Sequence, residues 1–440
     1  MSALNYGLTP KMRPIAPRKT ALVAALDIGT SKIACIIARL RPHPPQQMLP
    51  RRSHAIEVIG FGHTRARGTK AGGVVNLAEA EGSIRHAVDA AERMAGLHAE
   101  SVVLSVSAGR MTSERFAATV PVNGAMASDR DIERVLAAGS QHSVRNGRVV
   151  LHSLPIGYAL DESSGIRDPR GMLGRRLGVD MHVVTVDAAA VRNLILAVER
   201  CHLTVEAMVA APYVAGLACL ADDEADLGAA IVDLGAGTTT IAVFAGGRFV
   251  HADGFALGGV HVTMDLARGL PATMIEAERI KTLHGNAVVG SSDDRDMIPV
   301  SAVGEDEREP PHLLPRAAMV RIIKPRMEEI LEMVRDRLGA SPFAAEPGGR
   351  VVLTGGTSQL TALPELASRI LGRPVRIGRP LGISGLPEAA KGPAFAAPAG
   401  LLIYPQLANL EQFEARRLRP AMTGTDGYFA RVGRWLCESF

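Results

Sequence analysis

Three short apolar runs along the chain each stop at a turn rich in glycine and hydroxyl side chains. They are Ala24-Ala25-Leu26-Asp27-Ile28-Gly29-Thr30-Ser31-Lys32, Ile231-Val232-Asp233-Leu234-Gly235-Ala236-Gly237-Thr238-Thr239-Thr240 and Val351-Val352-Leu353-Thr354-Gly355-Gly356-Thr357-Ser358. Apolar runs of this length, rich in Val and Ile, predict buried strands. The glycines let the backbone turn tightly and approach a ligand closely. After the second turn the apolar pattern resumes at once with Ile241 to Phe244, so that turn is a β-hairpin; the first hairpin spans 21–40. Further strands are predicted at 55–63, 101–106, 115–121, 149–155 and 182–187. Helical spacing predicts helices at 78–95, 129–141, 188–201 and 212–220, the last followed by an acidic turn at 222–226.

This order of elements divides the chain into two lobes, each interrupted by an insert. Residues 1–20, basic and Pro-containing, read as a disordered leader. Segments 21–100 and 182–203 form the first lobe, with an inserted α+β subdomain at 101–181. Segments 204–254 and 346–405 form the second, with an insert at 255–345. A polar tether at 406–425 leads to an amphipathic terminal segment at 426–440.

Composition narrows the picture. A chain of 440 residues accommodates two or more domains, and 47 % apolar content excludes wholesale disorder. Aromatics make up only 4 %, so the cores are built from Ala, Val, Leu and Ile. A net charge of +4, with no basic stripe carrying interleaved aromatics, gives no nucleic-acid signal. The four cysteines lie far apart, which fits a reducing compartment and no metal cluster. Residues 1–20 lack the apolar core of a secretory signal, and the run from Ala21 is cut at Asp27, far short of a membrane span. The protein reads as cytoplasmic.

The candidate chemistry lies in the turns. Asp27 and Asp233 repel phosphate on their own, but each can hold hydrated Mg²⁺ against phosphate oxygens. Two such hairpins face to face make a clamp for a metal-bound nucleotide. No Gly-x-x-x-x-Gly-Lys-Ser/Thr loop occurs, and Gly235-Ala236-Gly237 opens a strand rather than a helix, so a dinucleotide fingerprint is excluded.

Strand, Asp-x-Gly turn, strand, duplicated over two lobes, resembles the superfamily of actin, the heat-shock chaperones and the sugar kinases. Within it the chain is similar to the FtsA family of bacterial cell-division proteins over about residues 20 to 405. The segments Glu276-Ala277-Glu278-Arg279-Ile280-Lys281-Thr282-Leu283-His284-Gly285-Asn286-Ala287, Phe255-Ala256-Leu257-Gly258-Gly259-Val260-His261-Val262-Thr263 and Ile323-Lys324-Pro325-Arg326-Met327-Glu328-Glu329-Ile330 carry the narrower likeness. The resemblance implies an α/β, actin-like, two-lobed duplicated ATPase fold, with a small α+β subdomain inserted in lobe one and a C-terminal amphipathic helix. It implies ATP and Mg²⁺ as ligands. Asp27 and Asp233 would position the metal through water. Backbone N–H groups of Gly29, Thr30, Ser31 and of Gly235, Gly237, Thr238 and Thr239 would hold phosphates, and Gly355, Gly356 and Thr357 would close over the adenosine. Lys32 either pairs with phosphate or is solvated at its hairpin tip. Glu278 and Lys281 either touch the ribose and adenine or form a surface ion pair.

The resemblance also implies partners: the C-terminal peptide of the tubulin-like FtsZ on the helix around Arg326, Met327 and Ile330, further copies in a filament, and later division proteins on the first insert. No catalytic residue is assigned. Ala210-Ala211-Pro212-Tyr213-Val214-Ala215, where relatives carry a water-orienting Gln or Glu, has neither, so any ATPase activity is expected to be slow. Helical projection of the terminal segment puts Phe429, Val432, Leu436 and Phe440 on one face with Trp435 at its edge and Arg431 and Arg434 opposite, the make-up of an interfacial membrane helix. A terminal helix docked on the body is the alternative. The combined expectation is a peripheral protein on the cytoplasmic side of the inner membrane at the division septum, which anchors the FtsZ ring. A sugar- or acetate-type kinase and a pilus-assembly scaffold are the rival readings.

Overall fold

The structure, a computed structural model, describes residues 9–16, 18–43, 52–140, 145–304, 311–346 and 348–408. The terminal segment with Phe429, Val432, Trp435, Leu436 and Phe440 therefore lies outside the described residues, as does nearly all of the tether. No helix among the described residues is long and apolar enough to cross a membrane.

Two sheets repeat one topology. In the first, the antiparallel strands Ala21–Ile28, Lys32–Pro42 and His54–Arg65 are followed by helix Leu77–Ala95, which returns the chain so that Ser101–Val106 pairs parallel with Ala21–Ile28. Strand Thr204–Ala210 then adds in parallel beyond it. In the second, Ala229–Leu234, Thr239–Ala245 and Arg248–Phe255 form the antiparallel meander, and Arg350–Thr354 and Val375–Ile377 add in parallel. Buried on both faces, the central strands need continuous apolar runs, and Ile33 to Ala38 are all fully buried. Helix Leu77–Ala95 starts on the Asn76 cap and ends at Gly96 in the left-handed conformation; its Ala and Ile face covers the first sheet.

The first insert holds a sheet of four strands, Thr112–Pro121, Arg176–Asp187, Arg148–Leu160 and Ser163–Ile166, covered by helix Asp129–Gly139. Its borders differ from the expected 101–181. Ser101–Val106 belongs to the first lobe's sheet, and residues 182–187, expected as a new strand of that lobe, continue a strand of the insert. Both shifts arise because apolar runs of equal length carry no mark of which sheet they join.

Three more expectations are corrected. Residues 9–16 of the leader are ordered: Thr9 donates to Val150 O from both its N–H, at 3.2 Å, and its hydroxyl, at 3.1 Å, and Met12 is buried in the first core. The acidic stretch after the linking helix Ala211–Cys219 is itself helical, Asp222–Leu227, because its acids sit at a helix N-terminus. Finally, 346–405 is not wholly of the second lobe. Strand Ile383–Ser384 pairs with His54–Arg65, and helix Ala396–Leu401 packs on the linking helix within the first core. There Gly400 admits the carbonyl of Val214 where any Cβ would collide with it.

Candidate nucleotide site between two hairpin turns

Each lobe brings one hairpin turn to the cleft, closed by the same bond. The Gly29 N–H donates to Lys32 O at 3.0 Å and the Gly235 N–H to Thr238 O at 2.9 Å. These two N–H groups are therefore committed to the turns, a correction to their expected role in holding phosphate. The turns meet tip to tip: a Cβ on Gly237 would lie 2.5 Å from Thr30 Oγ1. Thr30 is held by the Gly72 N–H, which donates to its hydroxyl at 3.0 Å, and Ser31 stays exposed at the tip.

Behind each turn stands its carboxylate. Ser105 donates to Asp27 Oδ1 from the neighbouring strand. Asp233 has no hydrogen-bond donor among the described residues, and its pKa is raised to about 6 by burial first and by the negative charge of Asp27 second, with Lys32 opposing. A half-buried pair of like charges facing one cleft is the arrangement that a hydrated cation relieves, so the residues present fit Mg²⁺ on a nucleotide. Lys32 is held within the first lobe by the returning segment: its ammonium donates to Ala394 O and lies 4.6 Å from the centre of the Phe395 ring. It is neither free in solvent nor aimed only at the turn.

The third turn packs onto the second. Gly355 has a φ of +84°, and a Cβ there would collide with Asp233 Oδ1, so glycine is required on two counts. Its N–H donates to Pro393 O at 3.1 Å, while Thr357 donates from Oγ1 to Gly235 O at 3.0 Å and Gly356 is exposed. Thr239 is fully buried and donates to Leu257 O at 2.9 Å, which makes its hydroxyl a brace for the hairpin rather than a ligand contact.

Helix Met274–His284 brings Lys281 to the same corner. The ammonium donates to Glu278 Oε2 at 2.6 Å, Thr263 Oγ1 at 2.8 Å and Gly259 O at 3.1 Å. These bonds use all three of its hydrogens, so a ligand reaching Lys281 displaces one of them. Gly259, which opens helix Gly259–Gly269, in turn donates to Gly235 O at 3.0 Å, which ties this corner to the second hairpin. Glu278 and Lys281 thus form an ion pair, as one reading expected.

Arg326, Met327 and Ile330 sit elsewhere, on the long helix Arg316–Gly339. Met327 and Ile330 are fully buried in the second lobe's core, and Arg326 is ion-paired with Asp265 at 2.6 Å and with Glu329. No partner side chain reaches the two apolar residues in this arrangement. Their helical spacing is that of an inward stripe, and burial of that stripe is what holds the helix.

Sequence reasoning missed Ser105, Gly72 and Gly258. The first two lie in segments with no motif of their own. Gly258 stands beside Gly259 in a quoted segment, and a Cβ on it would collide with Gly235 O. That glycine pair was the available signal.

Comparisons with known proteins agree with the fold. A family profile described as "Cell division protein FtsA" matches residues 230–400, and one described as "SHS2 domain inserted in FTSA" matches 108–185, the four-stranded insert. The cell division protein FtsA of Rhizobium meliloti is 53 % identical over 99 % of this chain and 98 % of its own length. That of Escherichia coli is 31 % identical over 95 % of this chain and 98 % of its own. Among solved structures, a PilM-PilN type IV pilus biogenesis complex aligns with a TM-score of 0.59 at 17 % identity, covering 87 % of this chain and 98 % of its own. MreB5 of Spiroplasma citri, bound to ADP, aligns at 0.53 and 12 % identity, covering 91 % and 99 %. These two likenesses show the actin-like fold.

Proposed function

Since the chain belongs to the FtsA family of bacterial cell-division proteins, we propose that it is an ATP-binding membrane tether for the division ring. The observation that carries the nucleotide part is the pair of matched hairpins meeting at Thr30 and Gly237, with Asp27 and Asp233 behind them. In this reading the N–H groups of Thr30, Ser31, Gly237 and Thr238 face the phosphates, as oriented backbone amides do in anion-binding turns. Bound Mg²⁺ supplies positive charge between nucleotide and carboxylates. Gly355, Gly356 and Thr357 form the floor under the adenosine, and the Glu278–Lys281 pair forms its rim.

Turnover is slow in this proposal. The linking helix Ala211–Cys219 is buried and apolar, with Tyr213 stacked on Phe249 at 4.4 Å, and offers no carboxylate or amide side chain to orient a water. The fold then uses nucleotide binding to set the lobes rather than to transform a substrate.

Polymerisation, recruitment of later division proteins through the four-stranded insert, and binding of the FtsZ C-terminal peptide to the second insert complete the reading. On the long helix that peptide meets the exposed face with Arg321, Pro325, Glu329 and Glu332, not Met327 and Ile330. Residues 426–440 anchor the assembly at the cytoplasmic face of the inner membrane. One short amphipathic segment binds lipid only reversibly, and a filament multiplies its hold through effective concentration.

The test is co-sedimentation with anionic liposomes, with and without ATP–Mg²⁺, of the full chain and a chain ending at Gln406. The tether predicts that only the full chain pellets, and more so with ATP. Phosphate release in the same tubes should stay far below the roughly 1 s⁻¹ at which kinases begin. Pelleting of both chains, or of neither, overturns the anchor.

A further inference from the structure

Thr240 is buried to 1 % exposure, and its hydroxyl has no hydrogen-bond partner among the described residues. It stands directly opposite Asp233 in the hairpin register. Opposed residues of an antiparallel pair share one face of the sheet, with Cβ atoms about 4.5–5.5 Å apart. The two side chains are therefore neighbours on one face of the sheet. On the other side Thr240 pairs with Gly254, and a Cβ on Gly254 would lie 3.1 Å from Thr240 Cγ2. The methyl branch, not the hydroxyl, lies against that strand.

The first lobe shows what is different here. Its carboxylate, Asp27, is opposed by Ala34 and takes its hydrogen bond from Ser105 on the parallel neighbour strand. The matching neighbour of Asp233 is Thr354, whose hydroxyl donates instead to Pro393 O at 3.0 Å. Asp233 is thus left without a donor, and Thr240 without a partner, side by side. A buried hydroxyl left unmade costs free energy, and buried polar groups are otherwise satisfied by protein or by water. An ordered water needs two or more polar partners, and this pair supplies two.

Resting on the nucleotide reading above, we propose that Thr240 is a positioning residue: with Asp233 it holds a water of the hydrated cation that accompanies the bound nucleotide. The first lobe's carboxylate is fixed by the protein, while the second lobe's carboxylate is completed by the ligand's own hydration shell. Thr240 sets where that shell sits.

The experiment titrates a fluorescent ATP analogue into the full-length protein at a series of Mg²⁺ concentrations and in EDTA, for wild type, Thr240→Val and Thr240→Ser. Valine keeps the shape and removes the hydroxyl, and thermal melting verifies that each variant is folded. The expected result is that Thr240→Val loses about tenfold in the Mg²⁺-dependent part of affinity, the size of one hydrogen bond to a charged group. Its affinity in EDTA should match wild type, and Thr240→Ser should restore the Mg²⁺ response. An unchanged Mg²⁺ response in Thr240→Val overturns the proposal, as does an equal loss with and without Mg²⁺. If wild type itself binds no nucleotide at any Mg²⁺ concentration, the nucleotide reading fails first.

Discussion

At the scale of single residues, Asp233 carries the sharpest consequence. Its pKa of about 6 stands above the unfolded value of 3.8, so the unfolded chain loses this proton first as pH rises. Below about pH 4 both states are protonated and nothing is at stake. Between about 4 and 6 a cost to the folded state grows, and above 6 it is complete, on the order of 1–3 kcal/mol. Asp233→Asn should therefore raise the melting temperature of the nucleotide-free protein at pH 7.5 and leave it unchanged near pH 4. Calorimetry at the two pH values decides this, and equal shifts at both would show that the carboxylate bears no such strain. Site residues were legible in the sequence where chemistry and backbone need coincide: Asp27, Asp233 and the glycines of the turns each follow an apolar run. Ser105 was not legible, because its partner Asp27 lies 78 positions away and only the parallel pairing of two strands brings them together.

At the scale of elements, the helix Asp129–Gly139 shows how local wiring holds the insert together. Ser128 caps it, and the buried Asp131 accepts from the Ser128 hydroxyl at 2.6 Å, the Ser128 N–H at 3.0 Å and the Asn123 N–H at 3.2 Å, with Arg134 beside it. The Ser128 hydroxyl foremost, and then its backbone N–H, hold this carboxyl well below the usual range. Asp131→Ala leaves several donors unpaired and should destabilise the insert by about 1–3 kcal/mol. Hydrogen exchange should show faster exchange in 112–187 with the strands of the first sheet unaffected; uniform acceleration everywhere would contradict a local cap. Elements as such were well read, since their periods are intrinsic. Their assignment to sheets was not, as Ser101–Val106 demonstrates, and neither was the direction of the stripe with Met327 and Ile330. Periodicity reports that a face is apolar and says nothing of whether a core or a partner covers it.

At the scale of the whole molecule, the insert is latched to the second lobe. His182 Nδ1 donates to Phe249 O at 2.9 Å, its Nε2 lies 2.8 Å from Ser113 Oγ, and Ser113 also exchanges bonds with the Ala252 backbone. Burial, against the opposing pull of the Phe249 carbonyl and with help from His251, His152 and Arg115 nearby, drives its pKa down to about 3. The unfolded chain then binds this proton near pH 6.5 and the folded one does not, so stability falls as pH drops below about 6.5. At pH 5 the loss from this group is about 2 kcal/mol. His182→Gln, which cannot take up a proton, should flatten the decline in unfolding free energy between pH 7 and pH 5 by that amount; an identical pH slope in the variant would place the acid sensitivity elsewhere.

The contact of Gly400 with Val214 governs how the two halves can move. The polypeptide passes between the lobes at the linking helix and again on its way back to Ile383–Ser384, and at Gly400 the outgoing and returning segments touch backbone to backbone. Two strands of a rope pressed together at one point can twist about each other but cannot slide apart. An opening of the cleft would then be a turn about that pinch, small at the pivot and large at the far corners. In the filament proposed above, a neighbouring subunit would feel the state of the cleft as an angle, summed along the row.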